Sequence, residues 1–84
     1  TVVSNVYPNP FINRFYIEFQ SDYAEVGLSI YNGLGQKVFE KKLSAEIGKN
    51  KAEISLANDL PAGLYTVTLE YKNGEKESVR LMRE

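Results

Sequence analysis

Four stretches of this chain alternate apolar and polar residues with a period of two, and that period belongs to a strand with one dry face. Phe15, Ile17 and Phe19 alternate with Tyr16, Glu18 and Gln20. Val26, Leu28 and Ile30 alternate with Gly27, Ser29 and Tyr31. Ala52, Ile54 and Leu56 alternate with Lys51, Glu53 and Ser55. Tyr65, Val67, Leu69 and Tyr71 alternate with Thr66, Thr68, Glu70 and Lys72. One wet and one dry face per strand is the mark of antiparallel sheets stacked over a shared core. Val2–Tyr7 reads as a further strand, 37–43 as a less regular one, and Val79 with Leu81 as the last. The expectation is an all-β, antiparallel sandwich of seven strands. The segment 40–46 has some helical propensity, but Ile47-Gly48 and the need to pair Val38 argue for a strand.

Parity sharpens two hairpins. Directly opposed residues share a face. A two-residue loop at Asn73-Gly74 would set Val79 against Thr68 and mix faces. A three-residue loop, Lys72-Asn73-Gly74, with Gly74 left-handed, sets Val79 against Val67 and Leu81 against Tyr65. The same logic at Gly33-Leu34-Gly35, with Gly35 left-handed, sets Val38 against Ile30. Both are type I turns followed by a glycine bulge. Glu40 would then oppose Leu28, so that strand must end, bulge or twist outward.

At 84 residues the chain makes one domain, residues 1–84. A domain of this size buries roughly 60–65% of its unfolded surface. It contains neither Cys nor His. Disulfides, Cys–His and Ser–His–Asp catalysis, haem ligation and thiolate or imidazole metal sites are therefore excluded together. Ten Lys and Arg stand against eleven Asp and Glu, so no basic surplus serves nucleic acid or an anionic membrane. No apolar run is long enough to span a bilayer as a helix. The chain opens on Thr1 without a signal peptide, and we expect a piece cut from a longer protein.

The remaining candidates read as ordinary surface or turn chemistry. Asp22 with Glu25, Asp59, and Glu75 with Glu77 lack the converging oxygens of a calcium loop and the pocket of an acid–base pair. Ser44 near Lys41 and Lys42, and Ser78 near Lys76, show no accompanying oxyanion hole. Gly33, Gly35, Gly63 and Gly74 are turn glycines, since no helix follows them to complete a phosphate cradle. Catalytic, cofactor and metal residues are thus assigned to none. Tyr16 and Tyr31 fall on outward parity, where an aromatic ring can stack on a sugar or anchor a partner. Pro8 and Pro10 bracket Asn9 and hold the link between the first two strands extended.

Several short motifs occur in a fixed order. They are Val6-Tyr7-Pro8-Asn9-Pro10-Phe11, Phe15-Tyr16-Ile17, Leu28-Ser29-Ile30-Tyr31-Asn32 with Gly35-Gln36-Lys37-Val38, and Leu60-Pro61-Ala62-Gly63-Leu64-Tyr65. Together they resemble the type A C-terminal sorting domain of the type IX secretion system, over nearly the whole chain. The resemblance implies an immunoglobulin-like, seven-stranded sandwich attached to an N-terminal cargo in a Gram-negative bacterium. It implies transit through the periplasm, recognition by an outer-membrane translocon, removal by a sortase-like surface peptidase, and a cargo left at the cell surface or secreted. By the same resemblance Pro8, Asn9 and Pro10 form the first motif, and Gly35 and Val38 the central one. Leu60, Pro61, Gly63 and Tyr65 begin the last, which continues through Val79, Arg80 and Leu81. Arg80 and Arg83 stand where the family usually carries Lys. The residues also allow a second reading, a carbohydrate-binding or spacer module of an extracellular enzyme using Tyr16 and Tyr31.

Overall fold

A computed structural model of the protein describes residues 2–56 and 60–84; Asp59 lies outside them. Seven strands follow one another: β1 (Val2–Tyr7), β2 (Arg14–Ser21), β3 (Glu25–Tyr31), β4 (Lys37–Ser44), β5 (Gly48–Ser55), β6 (Gly63–Glu70) and β7 (Lys76–Arg83). They form two antiparallel sheets, ordered β1-β2-β5 and β4-β3-β6-β7. There is no helix among the described residues. The expected all-β sandwich is therefore present, and 40–44 is strand. Phe15, Ile17 and Phe19 from one sheet meet Val26, Leu28, Ile30, Tyr65, Val67 and Leu69 from the other in a single core. These are the residues that the alternation placed inward.

The β6–β7 hairpin has the three-residue loop that parity requires. The Tyr71 N–H donates to the Glu75 carbonyl and the Gly74 N–H to the Tyr71 carbonyl, both at 2.9 Å. Gly74 has φ 92°, a left-handed conformation that costs a side-chain-bearing residue but not glycine. Val79 opposes Val67 and Leu81 opposes Tyr65.

The β3–β4 loop is also as expected, with the Asn32 N–H donating to Gln36 and Gly35 at φ 81°. Beyond it the expected register fails. Val38 does not oppose Ile30; the ladder shifts by one residue there, and Ile30 faces Phe39. The shift carries Leu43 opposite Val26, where it is buried, and moves Glu40 off Leu28 to stand opposite Ser29. Without the shift Lys42 would face Val26; burying Leu43 there is the physical reason for the bulge, and Lys41 takes Glu40's place opposite Leu28. One consequence is visible outside. Residues three apart on a regular strand point to opposite faces, yet Lys37 Nζ lies 2.6 Å from Glu40 Oε2. The bulged Val38 brings them to one side. That hydrogen bond and charge raise the pKa of Lys37 and lower that of Glu40.

The passage from β2 to β3 was not foreseen. Ser21 is fully buried, its hydroxyl donating to the Tyr23 carbonyl at 2.8 Å and accepting the Tyr23 N–H at 3.0 Å. A hydroxyl that satisfies both backbone groups replaces a tight turn.

Tyr71 closes the far end of the core. Its hydroxyl is buried without a hydrogen-bond partner of ordinary geometry. Burial first, then the negative charge of Glu77, pushes its pKa from the ordinary 10.0 up to about 12. The folded state therefore holds this proton more tightly than the unfolded one. The associated stability is complete below pH 10 and is lost as pH climbs towards 12. We expect Tyr71→Phe to raise stability at pH 7 by about 0.5–1.5 kcal/mol and to remove this alkaline component. Urea denaturation of both proteins at pH 7 and across pH 10–12 checks both parts.

Candidate functional site

The segment Leu60-Pro61-Ala62-Gly63-Leu64-Tyr65 carries the chain from the sheet of β5 to the sheet of β6. Leu60 packs against the core, and Tyr65 is the first inward side chain of β6, only 3% exposed. A buried phenol needs a partner. The Tyr65 hydroxyl donates to the Pro61 carbonyl, four residues upstream. This is a tyrosine corner, a device that fixes the entry of a strand after an inter-sheet crossing. Gly63, at φ 146°, pairs with Arg83, and Tyr65 with Leu81. The corner is thereby joined to the end of β7.

The link between β1 and β2 reaches the same strand from its other side. Phe11 is fully buried, edge-to-face with Phe15 at 5.2 Å. Its N–H donates to the Met82 carbonyl and its carbonyl accepts the Glu84 N–H, both at 2.9 Å. The Met82 N–H donates to Asn9 Oδ1 at 3.1 Å. Residues 9–11 thus form a short parallel clip along β7, bridging Phe11 to Arg83. Pro8 and Pro10 have no N–H to offer, and both follow cis peptide bonds. The polar contacts of the clip come from the residues between and after them. Arg83 is buried, with its guanidinium over the Phe11 ring at 5.8 Å.

The β3–β4 loop completes the arrangement. Asn32 Oδ1 accepts the N–H groups of Leu34 at 2.9 Å and Gln36 at 3.0 Å. Asn32, Gly33 and Leu34 line a surface groove with Pro61, Gly63 and Leu64. Gly35 lines an adjoining one with Thr66 and Arg80. The three motifs, far apart in sequence, converge on one end of the four-stranded sheet. Leu34, Leu64 and Met82 are exposed there, and Leu64 stands directly opposite Met82. Val38, at the bulge, and Val79, on β7, are half-buried, Arg80 is exposed, and Leu81 is in the core.

The other candidates have local partners. Tyr16 stacks on Tyr7 with ring centroids 5.6 Å apart, and Lys51 Nζ lies over both rings, 4.9 Å from Tyr16 and 5.7 Å from Tyr7. Tyr31 stands on β3, opposite Lys37 and Thr66. The two tyrosines face outward from different sheets, so they form no common platform. Glu25 pairs with Lys42 at 3.9 Å, and Glu77 Oε2 accepts the Val3 N–H at 2.7 Å. The Ser78 hydroxyl shares a hydrogen bond with that of Thr68, while Lys76 pairs with Glu70 at 3.3 Å. Asp22 and Glu75 are exposed. Among the described residues no three His, Cys, Asp or Glu side chains gather to hold a metal, and no helix is long and apolar enough to cross a membrane.

A model of the secretion system C-terminal sorting domain family matches residues 5–82. The chain belongs to that family. It is a type IX secretion C-terminal sorting signal, and an N-terminal cargo exported to the cell surface or secreted goes with it. No match was found among curated proteins, and nothing favours the carbohydrate-binding alternative.

Within this sorting domain the tyrosine corner follows from the sequence once Tyr65 is placed inward, because its hydroxyl then needs an acceptor. The Asn9–Met82 contact joins residues 73 apart and leaves no local signal. The Lys51 contribution over Tyr7 and Tyr16 was likewise missed. Tyr65→Phe keeps the ring and removes only the hydroxyl, so we expect a loss of about 1–2 kcal/mol. Asn9→Ala frees the Met82 N–H and is expected to cost about 0.5–1.5 kcal/mol, with faster amide exchange confined to the end of β7. Urea denaturation with residue-resolved hydrogen exchange separates the two effects.

Proposed function

We propose that residues 1–84 act as a single, non-catalytic export tag, cut from a longer secreted protein of a Gram-negative bacterium. The tag folds in the periplasm and displays the motif-bearing end of its four-stranded sheet to the outer-membrane translocon. A sortase-like surface peptidase then separates it from the N-terminal cargo. One observation supports this reading above the others: Pro8, Asn9 and Pro10, Gly35 and the Leu60–Pro61–Gly63–Tyr65 corner meet around the end of β7. Scattered motifs that served unrelated local turns would have no reason to share one end. Leu81 ties that end into the core, Val79 is half-buried on the same face, and Arg80 stays exposed. Recognition of such a surface draws affinity from main-chain hydrogen bonds and specificity from the side chains beside them.

The test fuses residues 1–84 to the C-terminus of a periplasmic reporter in a type IX-competent host. Surface delivery of the intact fusion is expected, with delivery lost on removal of residues 79–84. Delivery that survives this truncation would defeat the proposal.

A further inference from the structure

Four strands stand at sheet edges: β1, β5, β4 and β7. Unpaired edges invite strand addition, and folded proteins blunt them with shifts, bulges, inward charges or surface lysines. β1 has a register shift between Val3 and Asn5. β4 is bulged at Val38 and carries Lys41 on inner parity, opposite Leu28. β5 presents Lys49 and Lys51 on its exposed face.

β7, like β5, keeps an unbroken register with its neighbour over eight positions, and it is set apart by the segment that pairs with its outer side. Met82 turns its N–H to Asn9 and its carbonyl to Phe11, away from β6. Hydrogen-bonding direction alternates along a strand of an antiparallel pair. Arg80 and Ser78, two and four residues before Met82, therefore also turn their N–H and C=O groups to the outer edge. That edge already accepts an extended segment in cis, the parallel clip at 9–11. Arg80 lines a groove together with Val3, Val6, Val79 and Leu81 and with Asn5 and Asn9.

We infer that the edge of β7 at Ser78 and Arg80 is a strand-addition site for an extended segment of the export machinery. The incoming strand takes up the N–H and C=O groups of Ser78 and Arg80, next to the clip formed by residues 9–11. Its inward side chain is apolar and enters the groove between β1 and β7; its outward side chain, beside Arg80, is acidic. This inference rests on the sorting reading and specifies its contact.

Proline tests the edge without touching the ladder. Neither the Ser78 nor the Arg80 N–H bonds to β6, and an edge strand tolerates proline where its N–H faces outward. Ser78→Pro and Arg80→Pro are compared with Ser78→Ala and Arg80→Ala in the reporter fusion, with the melt of each isolated domain as the check on folding. Each folded proline variant is expected to deliver at least about tenfold less reporter than the alanine variant at its position, from a lost backbone hydrogen bond and a clash. Proline and alanine variants delivering equally would overturn the inference, whether both deliver well or both fail. If a proline variant loses its cooperative melt, a synthetic domain N-methylated at the Arg80 amide decides. It should compete at least about tenfold more weakly than the unmodified domain for outer-membrane vesicles from the competent host, and equal competition would overturn the inference. Failure of the unmodified fusion to reach the surface would sink the sorting reading itself. Failure of the proline effect alone sinks only the edge. Concentration-dependent dimerisation of the isolated domain, abolished by Arg80→Pro, would assign the edge to a second copy and overturn the assignment to the export machinery.

Discussion

Along each strand the side chains change face at every residue, so one residue too many or too few in a hairpin turns a whole strand inside out. Here the three-residue loops that end on Gly35 and Gly74 set that count. Gly74 delivers Val79 and Leu81 to the core side of β7. Gly35 starts β4 in the register that its loop dictates, and that register would bring Glu40 inward. The bulge at Val38 corrects the count after one pair. Leu43 then reaches the core, and Lys37 and Glu40 emerge on one side as an ion pair. A surface contact and a buried leucine thus have one cause, a single extra residue.

The same core explains why motifs so far apart act as one structure. Tyr65 is fixed twice, by burial in the core opposite Leu81 and by its hydroxyl on Pro61. Phe11 is fixed twice as well, by burial against Phe15 and by its backbone on Met82 and Glu84. β7 lies between these two anchors. Its position is therefore not a property of the last hairpin alone. Weakening either anchor loosens the same few residues, and so an edge strand can be held in a defined place in a domain this small.

Much of this was legible in the sequence because alternation and loop parity are local. Counting backwards from Gly74 placed Val79 against Val67 and Leu81 against Tyr65 without any structure. The same count at Gly35 showed that something in β4 had to give, but not that Val38 would bulge. That choice depends on how much is gained by burying Leu43, three residues beyond the conflict. Parity also showed that Tyr16 and Tyr31 point outward. It could not show that they belong to different sheets, since outward is defined strand by strand and the sheet by pairing. The clip at Asn9 was out of reach for a different reason. A side chain bonding to a backbone 73 residues away imposes no pattern on its neighbours.

The family resemblance and the physics meet at β7 without being the same argument. The resemblance singles out Val79, Arg80 and Leu81 by position. The fold divides them: Leu81 is committed to the core and Val79 is half-buried opposite Val67, while Arg80 shows both its side chain and its backbone to the outside. A strand that both anchors a small domain and presents a surface needs both kinds of residue. Inward residues alone would leave nothing to recognise, and outward residues alone would leave the strand unanchored. Alternation provides this division at no cost in length, because every second residue of an edge strand turns its backbone groups to the open side. The edge that the chain partly covers with its own Asn9 and Phe11 also keeps an unbroken register with β6. The clip then serves two ends: it holds the strand, and it limits the open edge to a short window.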